Sequence, residues 1–234
     1  MVEAVEETNS VTIPDGEHEH TFENGCHYRG NWLNNQRHGH GKSTWPSGTV
    51  YEGQYFLDHR HGHGKMTQSD DGTEFEGAWA SDNKHGEGKY TWQDGTKYAG
   101  TFVDNKLTGL GVMTFPNDDV YDGCFVAGSQ QGLGQMKYHD GVIYTGQWKD
   151  DKRHGRGLTT WPDSAVSYDG EWHEGEQHGE GMLRYEDGSK YYGSFKSNVK
   201  DGTGIFKYPD GSSYHGLWKD DLKHGEGTFV WANN

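Results

Sequence analysis

The sequence predicts an all-β protein, an elongated single-layer twisted antiparallel sheet made of consecutive β-hairpins. Three observations predict it. Glycine supplies 37 of 234 residues. Aromatic residues reach 14 %, yet Leu, Ile, Val and Phe together number 33, or about 14 %, below the roughly 20 % at which a charged chain is suspected of disorder. And one motif returns every 23 or 24 residues. A core for this chain has to be built from rings and glycines.

Taken in chain order, residues 1–15 are acidic and expected to be flexible, and residues 16–27 form a degenerate half-repeat holding Gly16, Phe22 and Gly25. Nine repeats follow, starting at 28, 51, 75, 98, 121, 144, 168, 191 and 214, so that the array covers 16–231 and residues 232–234 form the C-terminal end. Each repeat opens with Tyr-x-Gly-x-aromatic, from Tyr28-Arg29-Gly30-Asn31-Trp32 to Tyr214-His215-Gly216-Leu217-Trp218, with Phe75 once in place of Tyr. Strand side chains alternate with period two, so the two rings share one face, and the Gly between them leaves room for a ring of the neighbouring strand. A polar cluster such as Asn34-Asn35-Gln36-Arg37 then turns the chain.

The second strand carries Gly-x-Gly, from Gly39/Gly41 to Gly225/Gly227, and an aromatic four residues further on at Trp45, Trp92, Phe115, Tyr138, Trp161, Tyr185, Tyr208 and Trp231, with Gln68 breaking the column. A helix is excluded because two glycines per repeat would cost about 2 kcal/mol each time. Asp-Gly or Pro-x-Gly closes the repeat, and the two 24-residue spacings put one extra residue in that turn, near Ser69–Asp71 and Pro162–Val166. Only Gly128 and Gly175 fall outside the frame. The residues expected to build the structure are Tyr28, Trp32, Trp45, Tyr51, Trp79, Trp92, Tyr98, Tyr121, Tyr144, Trp148, Trp161, Tyr168, Trp172, Tyr214, Trp218 and Trp231. One hairpin is marginal in water, so stability is expected to be shared along the array. At two strands per repeat, nine repeats extend about 85 Å.

Charge and cysteine content narrow the function. With 36 acidic against 21 basic residues and a net charge of −15, the chain lacks the basic footprint that nucleic acid requires. Cys26 and Cys124 form neither a disulfide framework nor a C-x-x-C motif. The acidic N-terminus does not read as a signal peptide and no stretch approaches about 18 apolar residues, so a soluble chain in a reducing, intracellular compartment is expected.

The repeat resembles the MORN (membrane occupation and recognition nexus) family, over Gly16 to Trp231. The resemblance implies a fold of stacked hairpins. Its functions range over lipid kinases, a lysine methyltransferase, junctional membrane tethers, parasite cytoskeletal rings and ciliary radial-spoke heads. The resemblance implies that MORN enzymes carry their chemistry in an appended domain, and with the repeats filling residues 16–231 no such domain is expected within this sequence. The repeated Gly-x-Gly lies within a strand and opens no helix, which argues against phosphate binding.

Three groups stand out as candidate sites. His38, His61, His85, His154, His178 and His224 precede Gly-x-Gly in six repeats. Equivalent positions in successive hairpins lie about 10 Å apart, too far for one metal, so a role in the turn is expected. The local exception is His59, His61 and His63, which alternate and so share a face suited to an adventitious zinc or nickel ion. Beside the histidines runs a basic column, Arg37, Arg60, Lys84, Arg153, Lys200 and Lys223. It either reads an acidic protein tail or lipid headgroups, or neutralises acids of its own turn such as Asp58, Asp82, Asp151 and Asp221. Repeats four and five lose both columns, and Leu107, Leu110, Val112, Cys124, Val126 and Leu133 are expected to form an exposed apolar patch there, a partner site or the result of neutral divergence.

No catalytic residue and no cofactor are assigned. The expected function is a non-catalytic protein–protein interaction scaffold of a cytoskeletal assembly, a ciliary or flagellar axonemal component similar to radial-spoke heads, with other proteins of that complex as partners. The alternatives are a cytoskeletal scaffold outside the axoneme, or a peripheral tether that binds membrane phospholipids through the basic stripe, which the acidity disfavours. Open sheet ends would permit a homodimer.

Overall fold

The structure, a computed structural model, describes residues 12–162 and 164–232; most of the N-terminal stretch expected to be flexible lies outside them. The described residues form nineteen strands of one open antiparallel sheet and no helix. Two units can be distinguished, Met1–Gln93 with Phe102–Asn105, and Asp94–Thr101 with Lys106–Asn234.

The first unit holds β1 (Gly16–Thr21), β2 (His27–Leu33), β3 (Gln36–Thr44), β4 (Val50–Phe56), β5 (His59–Thr67), β6 (Glu74–Ala80) and β7 (Asn83–Thr91), each paired with the next. β8 (Lys97–Val103) is divided between the units. The second unit continues with β9 (Lys106–Thr114), β10 (Val120–Val126), β11 (Ser129–Lys137), β12 (Ile143–Lys149), β13 (Lys152–Thr160) and β14 (Ser167–His173). It ends with β15 (Glu176–Arg184), β16 (Lys190–Lys196), β17 (Val199–Lys207), β18 (Ser213–Lys219) and β19 (Leu222–Val230). The closing turn brings Trp45 N–H to the Thr49 carbonyl; the longer spacings close as Gln68 to Thr73 and Trp161 to Val166.

Within each unit the register aligns glycine on glycine. Gly30 faces Gly41, Gly41 faces Gly53, and Gly53 faces Gly64 in the first unit; Gly134, Gly146, Gly157 and Gly170 continue in the same way in the second. The ring that lies on this spine belongs to the repeat's own first residue and not, as the sequence suggests, to a neighbouring strand: a Cβ on Gly30 or Gly41 would run into Tyr28. The first glycine of Gly-x-Gly has a different reason. Gly39, Gly62, Gly155 and Gly179 have φ between 58° and 67° beside a register shift in the ladder, a bulge that favours glycine. At that bulge the tyrosine hydroxyl donates to the backbone carbonyl three residues on, Tyr28 to Asn31 at 3.0 Å and Tyr144 to Gln147 at 2.8 Å. Tyrosine is therefore preferred over phenylalanine at the buried position.

The rings pack in a herringbone. Tyr28 meets Trp32 at 5.3 Å and Tyr55 at 5.2 Å, and Tyr51 meets Tyr55 and Trp79, each edge-on. In the second unit Tyr121, Phe125, Trp148, Tyr144 and Trp172 form the same chain. Each such pair contributes about 0.5–1.5 kcal/mol beyond its buried area. Trp79 Nε1–H also donates to Gly64 O, and Trp172 Nε1–H to Gly157 O, which ties each repeat to the one before it. Trp231 departs from its expected structural role: it is 78 % exposed and packs on Phe229, because no strand follows β19 among the described residues.

The hairpin turns have positive φ at both central positions, as at Asn34 and Asn35, Leu57 and Asp58, or Ser81 and Asp82, which is the type I′ requirement. This places the two glycines left outside the sequence frame. Gly128 and Gly175 occupy the second turn position, where other repeats carry Asn or Asp.

Candidate functional site

The ring side of the sheet is filled from within. The basic column lies on it, Arg60 with its guanidinium 4.5 Å from the Trp79 ring centre, Arg153 4.1 Å from Trp172, Lys200 4.9 Å from Trp218 and Lys223 4.8 Å from Tyr214. The Arg37 and Arg60 side chains are 20 % exposed and Lys200 12 %. Their acidic partners come from the turn of the following repeat, not from their own turn. Arg37 Nε–H donates to Asp58 at 3.3 Å, and Asp58 also accepts from Arg37 N–H at 2.8 Å. Asp82 does the same for Arg60, and Asn105 and Asp151 accept from Lys84 and Gln130 N–H. Packed between rings and beside Arg60, Lys84 has its pKa pulled down to about 8, first by burial and then by the Arg60 charge.

The apolar group of repeats four and five divides between the two faces. Leu107, expected to be exposed, is 7 % exposed: it occupies the place of the basic column, against the rings, and Gln130 is buried at the same place one repeat later. Leu110 and Leu133 are 70 % and 68 % exposed on the opposite face, with Val112 and Val126 also exposed. Cys124, half-buried, lies among them, paired with Leu110 across β9 and β10. Their strand neighbours on this face include Gln135, Thr145 and Gln147, with Asp122 the nearby acid. The surface is therefore poor in charge in a chain of net charge −15.

Elsewhere on that face of the second unit, the glycine spine forms the floor of an open trough of about 840 Å³, between side chains that include Arg156, Glu180, Met182, Tyr192 and His215. Sequence reading missed it. The signal was present in the Gly-x-Gly column, because a residue without a side chain leaves both faces bare.

The histidines do not assemble as expected either. His59 Nδ1 is engaged with Asp82 at 2.6 Å and the His61 ring packs on Phe56 at 5.7 Å. The bulge at Gly62 breaks the alternation that would have aligned His59, His61 and His63, and these three do not converge. In the second unit a different group does: His154, His173 and Glu174 offer ligand atoms that all lie within 4.8 Å of one another.

The family model described as MORN repeat matches residues 28–50, 51–73, 75–97, 98–120, 121–143, 144–166, 168–190, 191–213 and 214–234. No curated protein matches the sequence. Among solved structures, the wild-type TCP10 domain of CPAP from Danio rerio, in complex with a peptide of Danio rerio STIL, is similar. It is 15 % identical over 94 % of this chain and 96 % of that one, with a TM-score of 0.53, a likeness of fold. The TCP10c domain of Drosophila melanogaster Sas-4 is 13 % identical over 93 % of this chain and 100 % of that one, with a TM-score of 0.27.

Proposed function

The chain belongs to the MORN repeat family, and from that premise we propose that it is a non-catalytic scaffold joining proteins of a cytoskeletal assembly, specifically a ciliary or flagellar axonemal component of the radial-spoke-head kind. The repeats themselves suggest a protein-interaction or membrane-binding role. The observation that carries the protein-binding reading is the exposed, charge-poor group of Leu110, Val112, Val126 and Leu133 on the face that the rings do not use. Apolar side chains standing in water on a sheet whose other face is filled are suited to a protein partner. A similar fold, the TCP10 domain of CPAP, is in complex with a peptide. A phospholipid tether would need cations free to meet headgroups, whereas Arg37, Arg60 and Lys200 lie against rings and the turn acids Asp58, Asp82 and Asp221.

Fractionation of ciliated cells that express the tagged chain tests this reading. Retention in detergent-extracted axonemes is the expected result, and absence from them rejects the axonemal assignment. Flotation with anionic vesicles across a salt series tests the tether; no flotation at any salt is expected.

A further inference from the structure

From the convergence of His154, His173 and Glu174 we infer that the second unit carries a zinc-type divalent metal site that clips β13 to β14 at the turn end of repeat seven. β13 and β14 pair with Gly155 opposite Trp172, so His154 and His173 fall side by side on the face away from the rings. The His173 ring centre lies 5.4 Å from that of His154 and 5.6 Å from that of His178 on β15. Glu174, the first turn residue after β14, brings its carboxylate to the same point, and the three ligand atoms lie within 4.8 Å of one another. Two imidazoles and a carboxylate form a donor set that suits zinc, with bonds near 2.0–2.2 Å and a fourth position open to water.

A second observation is independent of that distance. His154 Nδ1 is buried and has no hydrogen-bond partner, as is His38 Nδ1 at the same place in repeat one. Beside His38 stands Phe56, whereas beside His154 stand His173 and Glu174, where a metal taken at Nδ1 itself would meet the need. Lys152 donates to Glu174 Oε2 at 2.6 Å, which leaves the second carboxylate oxygen for the metal.

The repeat provides an internal comparison. The position of His173 is held by Leu33, Phe56, Ala80, Val103, Val126, Lys149, Lys196 and Lys219 in the other repeats. In the first unit Phe56 stands between His38 and His61 at 5.3 and 5.7 Å, the same stack with a ring that cannot bind metal, followed by Leu57 where repeat seven has Glu174. Repeat seven thus turns a packing column into a donor cluster by two residue changes.

Zinc titration of the chelator-treated full chain by calorimetry, with cobalt absorption as a second readout, tests the site. We expect one zinc per chain in a class distinctly tighter than the remaining surface histidines, and tetrahedral cobalt bands. His173→Phe, which copies repeat two, and Glu174→Gln should each weaken that class by about 10–100-fold or more, at least the loss that follows from removing an outer-shell partner. Phe56→His with Leu57→Glu should add a second site. Absence of a tight class in the unaltered chain overturns the inference, and so does its persistence in Glu174→Gln, an exposed turn position whose substitution leaves the stack intact.

Discussion

At the scale of the residue, the two glycines of each Gly-x-Gly do different work, and substitution separates ring contact from backbone strain. Gly64 lies beneath the Tyr51 ring, where a Cβ would collide with it. Gly62, its partner, combines positive φ with the Gln54 side chain, so backbone strain alone is read at Gly95, a closing-turn glycine outside the Gly-x-Gly pair, which has φ 89° with nothing within 4 Å of a Cβ. Gly95→Ala should cost about 1–2 kcal/mol from left-handed backbone alone. Gly64→Ala must displace a fully buried ring and should cost more, in the range of about 3–5 kcal/mol typical of core disruption. Chemical denaturation of the two variants checks the order. The glycine positions were legible from the 23-residue frame, but their separate causes were not, since φ and ring contact look alike as a conserved spacing within one chain. The same limit hid Leu107. Periodicity places it in the basic column but does not say that the column lies against rings, and an apolar residue there simply fills the place of a cation's aliphatic stem.

At the scale of the element, repeats are latched by the second turn residue. Asp82 accepts from Arg60 N–H and Nε–H, each at 3.0 Å, and from His59 Nδ1. Partial burial pushes its carboxyl up, but the hydrogen bonds from His59 and Arg60 outweigh this and hold it below its usual value. Asp82→Ala loses every side-chain contact and places a Cβ residue without turn chemistry at φ 67°; a cost of about 2–3 kcal/mol is expected. Asp82→Asn keeps the amide acceptor, as Asn105 does for Lys84, and should cost about half as much. Equal losses in the two variants, read by thermal unfolding, would contradict the latch. In sequence the acid and the base appear as neighbours in one turn, because spacing alone cannot distinguish a partner in the same turn from one 22 residues away. The side-by-side stacking of hairpins decides it.

At the scale of the whole molecule, a core of tyrosines makes the fold sensitive to alkali. Burial pushes Tyr144 up to about 12, and Tyr28, Tyr51, Tyr121, Tyr168 and Tyr191 are pushed up as well. A raised pKa means that the folded chain binds more protons than the unfolded one above pH 10. The stability it contributes is fully present below that value and lost as pH rises toward 12. Lys84 acts in the opposite sense between about pH 8 and 10.5, where discharge of a buried cation favours the fold. Circular dichroism against pH should therefore show little change to pH 10 and a steep cooperative loss of sheet between 10 and 12. Gradual loss starting at pH 8 would contradict a tyrosine core. The sheet class, the repeat frame and the ring faces were all readable in advance, because period-two alternation and a fixed glycine interval are properties of sequence. The His154 cluster was not, because it arises from register between strands, and the Gly-x-Gly column signals a bare floor without saying which side chains wall the trough.

The central claim is that the face opposite the rings binds protein through Leu110 and Leu133. Its most direct test is affinity purification of the tagged chain with Leu110→Glu and Leu133→Glu combined. Both side chains stand in solvent, so circular dichroism and thermal unfolding should match the unaltered chain within about 0.5 kcal/mol, while a partner held by the unaltered chain is lost. Recovery of every partner by the folded double variant would contradict the claim.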